Sequence, residues 1–463
     1  MNTQNIYDNI DVLTIYNKVN ENINNVKIDT RKITNGDCYV GIKGEKNDGN
    51  LFYMEALKKG ATIAILDNYK VSGDDLNYLK ENNKSIVVVK NTIKALGSLA
   101  KYKRSLFTSP VVAITGSAGK TSTKDIIYSV LKEKYDVHKT IGNQNNHLGL
   151  PLTILALDEK KEMLVLEMGM NHEGEISYLT NIAKPDVAVI TNVGTAHIGN
   201  LGSRENILKA KLEILEGLND DGTLIINNDN DLLHDWYLKN KDKYHIITIG
   251  INNKSDFTAT NIYLEEDGST FTCMNTSYEV PVGGEHFIYN ALSAIAVASI
   301  FNVPSESVKK GILNFELSSN RMNIINDEIK DITLIDDSYN ANFDSMSYAI
   351  KYLSSLDGRL IAVLGTMKEL GAYSETLHRK IGKLIYEEEI DILITVGDDA
   401  LFINKEAESL GFNKDSSYHF DSNNDAINTI KSLLNSEDRI LIKASNSLNF
   451  NEIVDSLKGE IWN

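Results

Sequence analysis

At 463 residues the chain exceeds what one hydrophobic core usually organises, and its 42% hydrophobic content can supply cores for two to four domains. Lys plus Arg number 47 against 64 Asp plus Glu, a formal charge of -17, which disfavours nucleic acid or an anionic membrane surface as a main partner. Two cysteines far apart in sequence, Cys38 and Cys273, show no Cys-x-x-Cys or Cys/His ligand spacing; neither a disulfide framework nor a zinc site is indicated, and a reducing cytoplasm fits.

The opening residues, MNTQNIYDNIDVL, lack a basic n-region and a long apolar run, and no later segment approaches the ~18 uninterrupted apolar residues of a membrane span. Nothing here predicts export. Residues 1–84 read as a small α/β unit, with strands over 38–42 and 62–66 and a helix over 51–59. Within it, Asp29-Thr30-Arg31-Lys32 reads as a solvated turn. A second unit, 85–316, opens on a strand at 85–89 and a helix at 92–103, whose Lys101, Lys103 and Arg104 read as a solvated helix end before Pro110.

The stretch VVAITGSAGKTSTK, residues 111–124, organises the chain: an apolar strand, a glycine-bracketed turn, then a helix opened by Lys120 and Thr121. Such a loop aims backbone N–H groups at phosphate oxygens, Lys120 adds a positive charge, and the Thr121 hydroxyl suits a Mg2+ ion. The common phosphate-loop pattern has a glycine where Ile114 stands, so the loop is a shorter variant spanning Thr115, Gly116, Ser117, Ala118, Gly119, Lys120, Thr121 and Ser122. The plain alternative is a glycine turn between a strand and a helix.

Beyond it, apolar runs at 163–167, 187–191 and 223–227 alternate with helical stretches, which predicts a mostly parallel sheet covered on both faces. Ligands in such sheets gather at the carboxyl ends of the strands, where Thr121, Glu167 and His197 fall on one rim. Thr121 and Glu167 supply the oxygens a hard cation wants. A lone loop histidine such as His197 is more often an ordinary hydrogen-bonding residue, and Lys211, beside the apolar face of its helix, an ordinary partly covered lysine. His286 and Asn290 open an Ala-rich helix, and capping explains only one of them. A third unit, 317–463, repeats the strand–helix alternation and predicts a second doubly wound domain. Its first strand runs into Asp336-Asp337-Ser338-Tyr339-Asn340-Ala341-Asn342, a polar cluster placed to meet sugar hydroxyls, with Asn340 and Asn342 as candidates.

Taken in order, TGSAGKTS, GNQNNHLGLP, LEMGMNHEGEI, ITNVGTAHIGNLGS, KAKLEIL, GEHFIYNALSA and DDSYNANFDSM resemble the Mur ligase family. The stretch DTRKITNGDCYVGIKGEKNDG and the DDSYNAN signature are similar to the branch that joins D-alanyl-D-alanine to UDP-N-acetylmuramoyl-tripeptide. The resemblance implies an α/β chain of three domains: a small N-terminal one for the UDP-sugar, a central P-loop ATPase with a mostly parallel sheet, and a Rossmann-like C-terminal one. It also implies a cytoplasmic, monomeric enzyme that uses ATP and two Mg2+ ions and passes through an acyl phosphate.

By motif position the resemblance gives Gly116, Gly119 and Lys120 to the phosphates, Thr121 and Glu167 to a first Mg2+, and His197 to the metal sites. Lys211 takes the position carbamylated in family members, an N6-carboxylysine able to help hold a second Mg2+. Asn290 would face the adenine and Asp337 the ribose, while Arg321 would approach the phosphates; Thr30, Arg31, Lys43 and Asp48 are candidates for the UDP-sugar. The family pattern is departed from at Phe343, Thr366, Ala444 and Asn446. Rival readings are a sister ligase adding a different amine and a non-catalytic paralogue that binds nucleotide or UDP-sugar.

Overall fold

The computed structural model describes residues 1–67, 70, 72–265, 268–318, 320–327 and 329–461. Its first sheet has five strands in the order Val12–Tyr16, Ser85–Val89, Ile63–Asp67, Cys38–Val40, Val26–Lys27, parallel except for the antiparallel Val12–Tyr16 edge. Ser85–Val89, expected to open the second unit, belongs to this sheet. All five of its residues are buried, and its backbone is satisfied only by partners on both sides.

The helix Thr92–Leu106 follows; Lys101 is exposed as expected, whereas Lys103 and Arg104 are not solvated. Lys103 is 9% exposed and pairs with Glu159 at 2.5 Å. The Arg104 guanidinium donates to the carbonyls of Ala183 (2.6 Å) and Lys184 (2.9 Å), satisfying the end of the helix Glu175–Ala183.

The second sheet is parallel throughout, seven strands in the order Phe257–Thr258, His245–Gly250, Thr223–Asn227, Val187–Ile190, Val111–Thr115, Met163–Glu167, Val137–Lys139. Val111–Thr115 comes first in the chain. The next two strands build to one side of it, and from Val187–Ile190 onward the chain builds to the other. This reversal sets the loops after Thr115 and Ile190 side by side, where ligands gather in doubly wound sheets.

A small antiparallel sheet, Thr260–Leu264, Ser269–Cys273 and Thr276–Val280, was not foreseen. Its tight hairpin places Met274 (φ 48°) and Asn275 (φ 62°) in the left-handed region; the Met-Asn pair lacks the Asn-Gly signal that announces such a turn.

The third sheet runs Asn323–Asp327, Ile332–Asp336, Asp438–Lys443, Arg359–Gly365, Ile392–Val396, Ser417–Phe420, parallel apart from the first strand. Alternate residues face opposite sides. Ile335, Ala362, Leu364, Leu393 and Leu441 pack with Met346, Ile350, Leu377, Ile381 and Ile403, while Leu334, Ile361, Val363, Ile394 and Ile440 pack with Ala426, Ile430, Ile453 and Leu457. Helices therefore cover both faces, as the alternating pattern predicts.

The helix Lys120–Leu131 is held from behind by Ser305–Leu313 at near backbone contact. A Cβ added at Gly311 would lie 2.5 Å from Val130 Cα and 2.9 Å from Val130 N. Helix propensity alone would make Gly311→Ala stabilising by about 1 kcal/mol. Forced separation of the helices should outweigh this and destabilise by roughly 1–3 kcal/mol, seen as a lower urea midpoint; a raised midpoint would show that the contact yields freely.

Candidate active site

The loop after Val111–Thr115 turns through Gly116 (φ 157°) and Gly119 (φ 77°), and Gly119 is the residue from which the helix Lys120–Leu131 starts. The left-handed geometry at Gly119 frees the first-turn N–H groups to face outward. Lys120 folds back onto the loop, its Nζ 2.8 Å from Gly116 O; burial and nearby Arg321 push its ammonium below the usual range, against the pull of Glu167.

The adjacent segment after Val187–Ile190 holds the loop in shape. Asn192 Oδ1 accepts from the N–H groups of both Ser117 (3.0 Å) and Ala118 (2.9 Å), Thr191 Oγ1 donates to Ala118 O (2.6 Å), and Gly194 N donates to Ser117 Oγ (2.9 Å). With those two N–H groups satisfied, the helix start at Gly119 to Ser122 is the part left for an anion. Thr115 is fully buried at the strand end, and neither it nor Gly116 lines the cleft.

Glu167 ends its strand 2% exposed. Its Oε1 accepts from Thr121 Oγ1 (3.2 Å) and Asn145 Nδ2 (2.8 Å), whereas Oε2 has no hydrogen-bond donor, only Lys124 Nζ at 3.7 Å. A buried carboxylate oxygen left open beside a phosphate loop fits a hard cation. Among the described residues no group of three or more His, Cys, Asp or Glu side chains is arranged to hold a metal.

His197 takes a left-handed backbone (φ 62°) and its ring lines the cleft. The sequence pattern predicts a partly covered Lys211; it is instead 1% exposed, in the helix Arg204–Leu212, because other elements cover it. Burial and the charge of Lys120 hold its ammonium well below the ordinary range, against the pull of Asp344. It does not line the cleft.

The third unit closes the opposite wall. Arg321 lies over the Tyr339 ring, 4.1 Å from its centroid, and lines the cleft with Asp337, Asn340 and Asn342. Asp337 pairs with the buried Lys443 and accepts from Met322 N (3.2 Å). Asn340 Oδ1 accepts from Asn446 N (3.2 Å). Asn342 has both amide atoms engaged, Oδ1 capping the helix Phe343–Ser354 through Ser345 N (2.8 Å) and Nδ2 reaching Ser117 O (3.2 Å). Asn290 accepts from Thr123 Oγ1 (2.9 Å) and leaves Nδ2 without a partner at the cleft edge.

The enclosed volume is about 410 Å3, within the range of small-molecule sites. The four N-terminal candidates lie outside it. Asp29 caps a short turn, accepts from Arg31 and has its carboxyl drawn down to about 2 by that side chain; Thr30 donates to Glu55 (3.0 Å). Lys43 and Asp48 face each other across a backbone bridge. The sequence reading missed Asn145, Asn192 and Lys124, for an asparagine in a loop and a lysine in a helix carry no local signal, and it also missed Asp344, which accepts from Thr195 N (2.7 Å) and Oγ1 (3.0 Å).

A phosphate loop, a buried carboxylate beside it and a facing wall from a second doubly wound unit define a nucleotide-dependent enzyme of modular α/β type. Three segments match family descriptions: 22–104 the Mur ligase catalytic domain, 114–298 the Mur ligase middle domain, and 320–446 the Mur ligase glutamate ligase domain. The UDP-N-acetylmuramoyl-tripeptide--D-alanyl-D-alanine ligase of Bacillus subtilis is 37% identical over 439 residues, 94% of this chain and 93% of its own. Its Escherichia coli counterpart is 34% identical over 94% and 93%. Among solved structures, MurF from Acinetobacter baumannii superposes with a TM-score of 0.84 at 30% identity, covering 94% of this chain and 93% of its own. MurF from Thermotoga maritima in complex with ADP gives 0.82 at 27% identity, covering 95% and 98%. The chain belongs to the Mur ligase family.

His286 stacks on Tyr348 across the two units, ring centroids 5.3 Å apart, and burial with the charge of Lys443 lowers its pKa to about 3. The unfolded chain therefore binds this proton more readily than the folded one, so stability falls as pH drops below about 6.5 towards 3. In His286→Gln the loss of stability between pH 6.5 and 5 should be shallower than in the parent, measured by urea unfolding at each pH; an unchanged slope would show that His286 charges freely.

Proposed function

We propose that this chain joins the amine of D-alanyl-D-alanine to the terminal carboxylate of UDP-N-acetylmuramoyl-tripeptide with ATP, completing the soluble peptidoglycan precursor in the cytoplasm, as a monomer. The observation that carries this reading is near full-length similarity to enzymes of that name, together with a phosphate loop facing a wall from the third unit.

A carboxylate is a poor electrophile in water, and phosphorylation by ATP gives it a leaving group. The attacking carboxylate and the γ-phosphate are both anionic, so the site's work is charge neutralisation and alignment. Gly119, Lys120, Thr121 and Ser122 hold the phosphates from the helix end, Ser117 and Ala118 shape the loop, and Arg321 faces them from the third unit. Thr121 and Glu167 would hold Mg2+, which supplies positive charge to the transferring phosphoryl group. His197, with Lys211 if carbamylated, would serve a second ion. Lys211 suits that modification, since burial and the charge of Lys120 favour its neutral amine, the form that adds to carbon dioxide. Asn290 lies at the adenine side and Asp337 at the ribose.

The first sheet, through Ser85–Val89, forms the UDP-sugar domain, and Thr30, Arg31, Lys43 and Asp48 belong to that side. The central ATPase domain and the C-terminal domain follow, dividing near residue 316.

Phosphate release from ATP and Mg2+ should depend on both UDP-N-acetylmuramoyl-tripeptide and D-alanyl-D-alanine, with the pentapeptide identified by mass. Release with another amine instead would make the chain a sister ligase, and none with any amine a binding paralogue. Lys211→Ala should lose at least ~100-fold in kcat, about 2.7 kcal/mol of barrier, with partial rescue by a short carboxylic acid. Full activity without the acid would remove the carbamate from the mechanism.

A further inference from the structure

We infer that Glu369 is a positioning residue for the ligase reaction: it enters from the third unit, fixes the ring of His197 and makes that histidine's working geometry depend on the two units being in contact. The inference rests on the proposed role of His197 at the metal and phosphate side of the cleft.

His197 Nδ1 lies 2.5 Å from Glu369 Oε2. The two atoms are in ion-pair contact without being aligned as a hydrogen bond; a hydrogen on Nδ1 is what lets a carboxylate approach it so closely, and that leaves the lone pair on Nε2. Nδ1 is buried, while the side chain as a whole is 21% exposed and lines the cleft, so another edge of the ring faces the substrates. A carboxylate behind an imidazole is the arrangement that fixes tautomer and orientation when the other nitrogen serves an ion or a reacting group.

The backbone around both residues is committed to this contact. Glu369 has φ 65° and His197 φ 62°, left-handed conformations that non-glycine residues adopt at a cost. The units meet there almost backbone to backbone. Gly199 N donates to Glu369 O (3.0 Å), and a Cβ at Gly199 would stand 2.6 Å from that carbonyl and from Gly371 N. Tyr373 Oη donates to Gly202 O (2.7 Å) one turn further on. Asp344 holds Thr195 on the other side of His197. The segment carrying the histidine is thus clasped at three points by the third unit, and Glu369 reaches the ring itself.

The test is steady-state ligation by full-length Glu369→Gln, Glu369→Ala and Tyr373→Phe, with His197→Ala and the Glu369→Ala/His197→Ala pair for comparison. A second readout is the 15N signature of the His197 imidazole. Both Glu369 variants should lose roughly 10- to 100-fold in kcat with KM values for all three substrates within about threefold. Tyr373→Phe, which weakens the same interface without touching the ring, should stay within about threefold of the parent. Glu369→Ala should add nothing to His197→Ala, and its imidazole signature should move away from the Nδ1–H tautomer seen in the parent. An impaired His197→Ala beside unimpaired Glu369 variants would overturn the inference, as would a Glu369 effect confined to KM or an unchanged tautomer. A fully active His197→Ala would overturn the role of His197 itself, and this inference with it.

Discussion

A carboxylate buried at the end of an apolar strand sets the terms for everything around it. Glu167 cannot keep its charge at 2% exposure without compensation, and the chain supplies that from several directions. Thr121 and Asn145 satisfy one oxygen; Lys124 stands 3.7 Å from the other and also 3.5 Å from Asp125. Asp125, itself buried, pairs with Lys139 at 2.8 Å and accepts from Ser318 Oγ at 2.6 Å. Charges of alternating sign therefore run from the cleft to the stretch that leads into the third unit. One demand is left over, at Oε2, of the kind a hard cation can meet. Removing a single member such as Lys124 would strand a buried charge, which costs more than the pair is worth while intact.

That network has its position because of the sheet reversal at Val111–Thr115. Two loops emerge side by side there, one carrying the glycine turn and helix start, the other bracing it. The brace, Thr191 to His197, faces two ways: Thr191, Asn192 and Gly194 shape the phosphate loop, while Thr195 and His197 meet carboxylates of the third unit. Nearest the phosphate loop the units touch through hydrogen bonds, including Asn342 to Ser117. Hydrogen bonds to groups that water can also satisfy are exchanged at modest net free energy, so such contacts favour assembly around a ligand over permanent fusion.

Where a feature is local in sequence, it was legible. The apolar strands with their turns, the phosphate loop and Glu167 all follow from residue type and spacing, since burial on both faces forces a continuous apolar run and a charge at its end needs a reason. What was not legible depends on distant partners. The pattern around Lys211 describes one helix and cannot reveal that other elements cover it completely. Arg104 read as solvent-facing because the orphan carbonyls it satisfies, at Ala183 and Lys184, lie some 80 residues away. Ser85–Val89 followed a helical stretch and preceded another, with nothing local to say which sheet it joins. The Met274–Asn275 hairpin escaped notice because its turn is made without glycine.

The departures from the family pattern can be weighed on the same terms. Thr366 is fully buried, and its Oγ1 accepts from Ala400 N at 3.3 Å, bracing the turn that follows Ile392–Val396. Ala444 does not take a left-handed backbone, so the methyl imposes no strain, and its Cβ occupies space beside Gly365, which has none. Asn446 ties its amide to Tyr339 O at 3.0 Å and its N–H to Asn340 Oδ1, steadying the polar cluster from behind. Phe343 opens the helix capped by Asn342. None of the four lines the cleft, whereas Tyr339, Asn340, Asn342 and Lys443 do. The substitutions are absorbed by packing within the third unit, and the cleft wall it presents is built from the residues that keep the pattern.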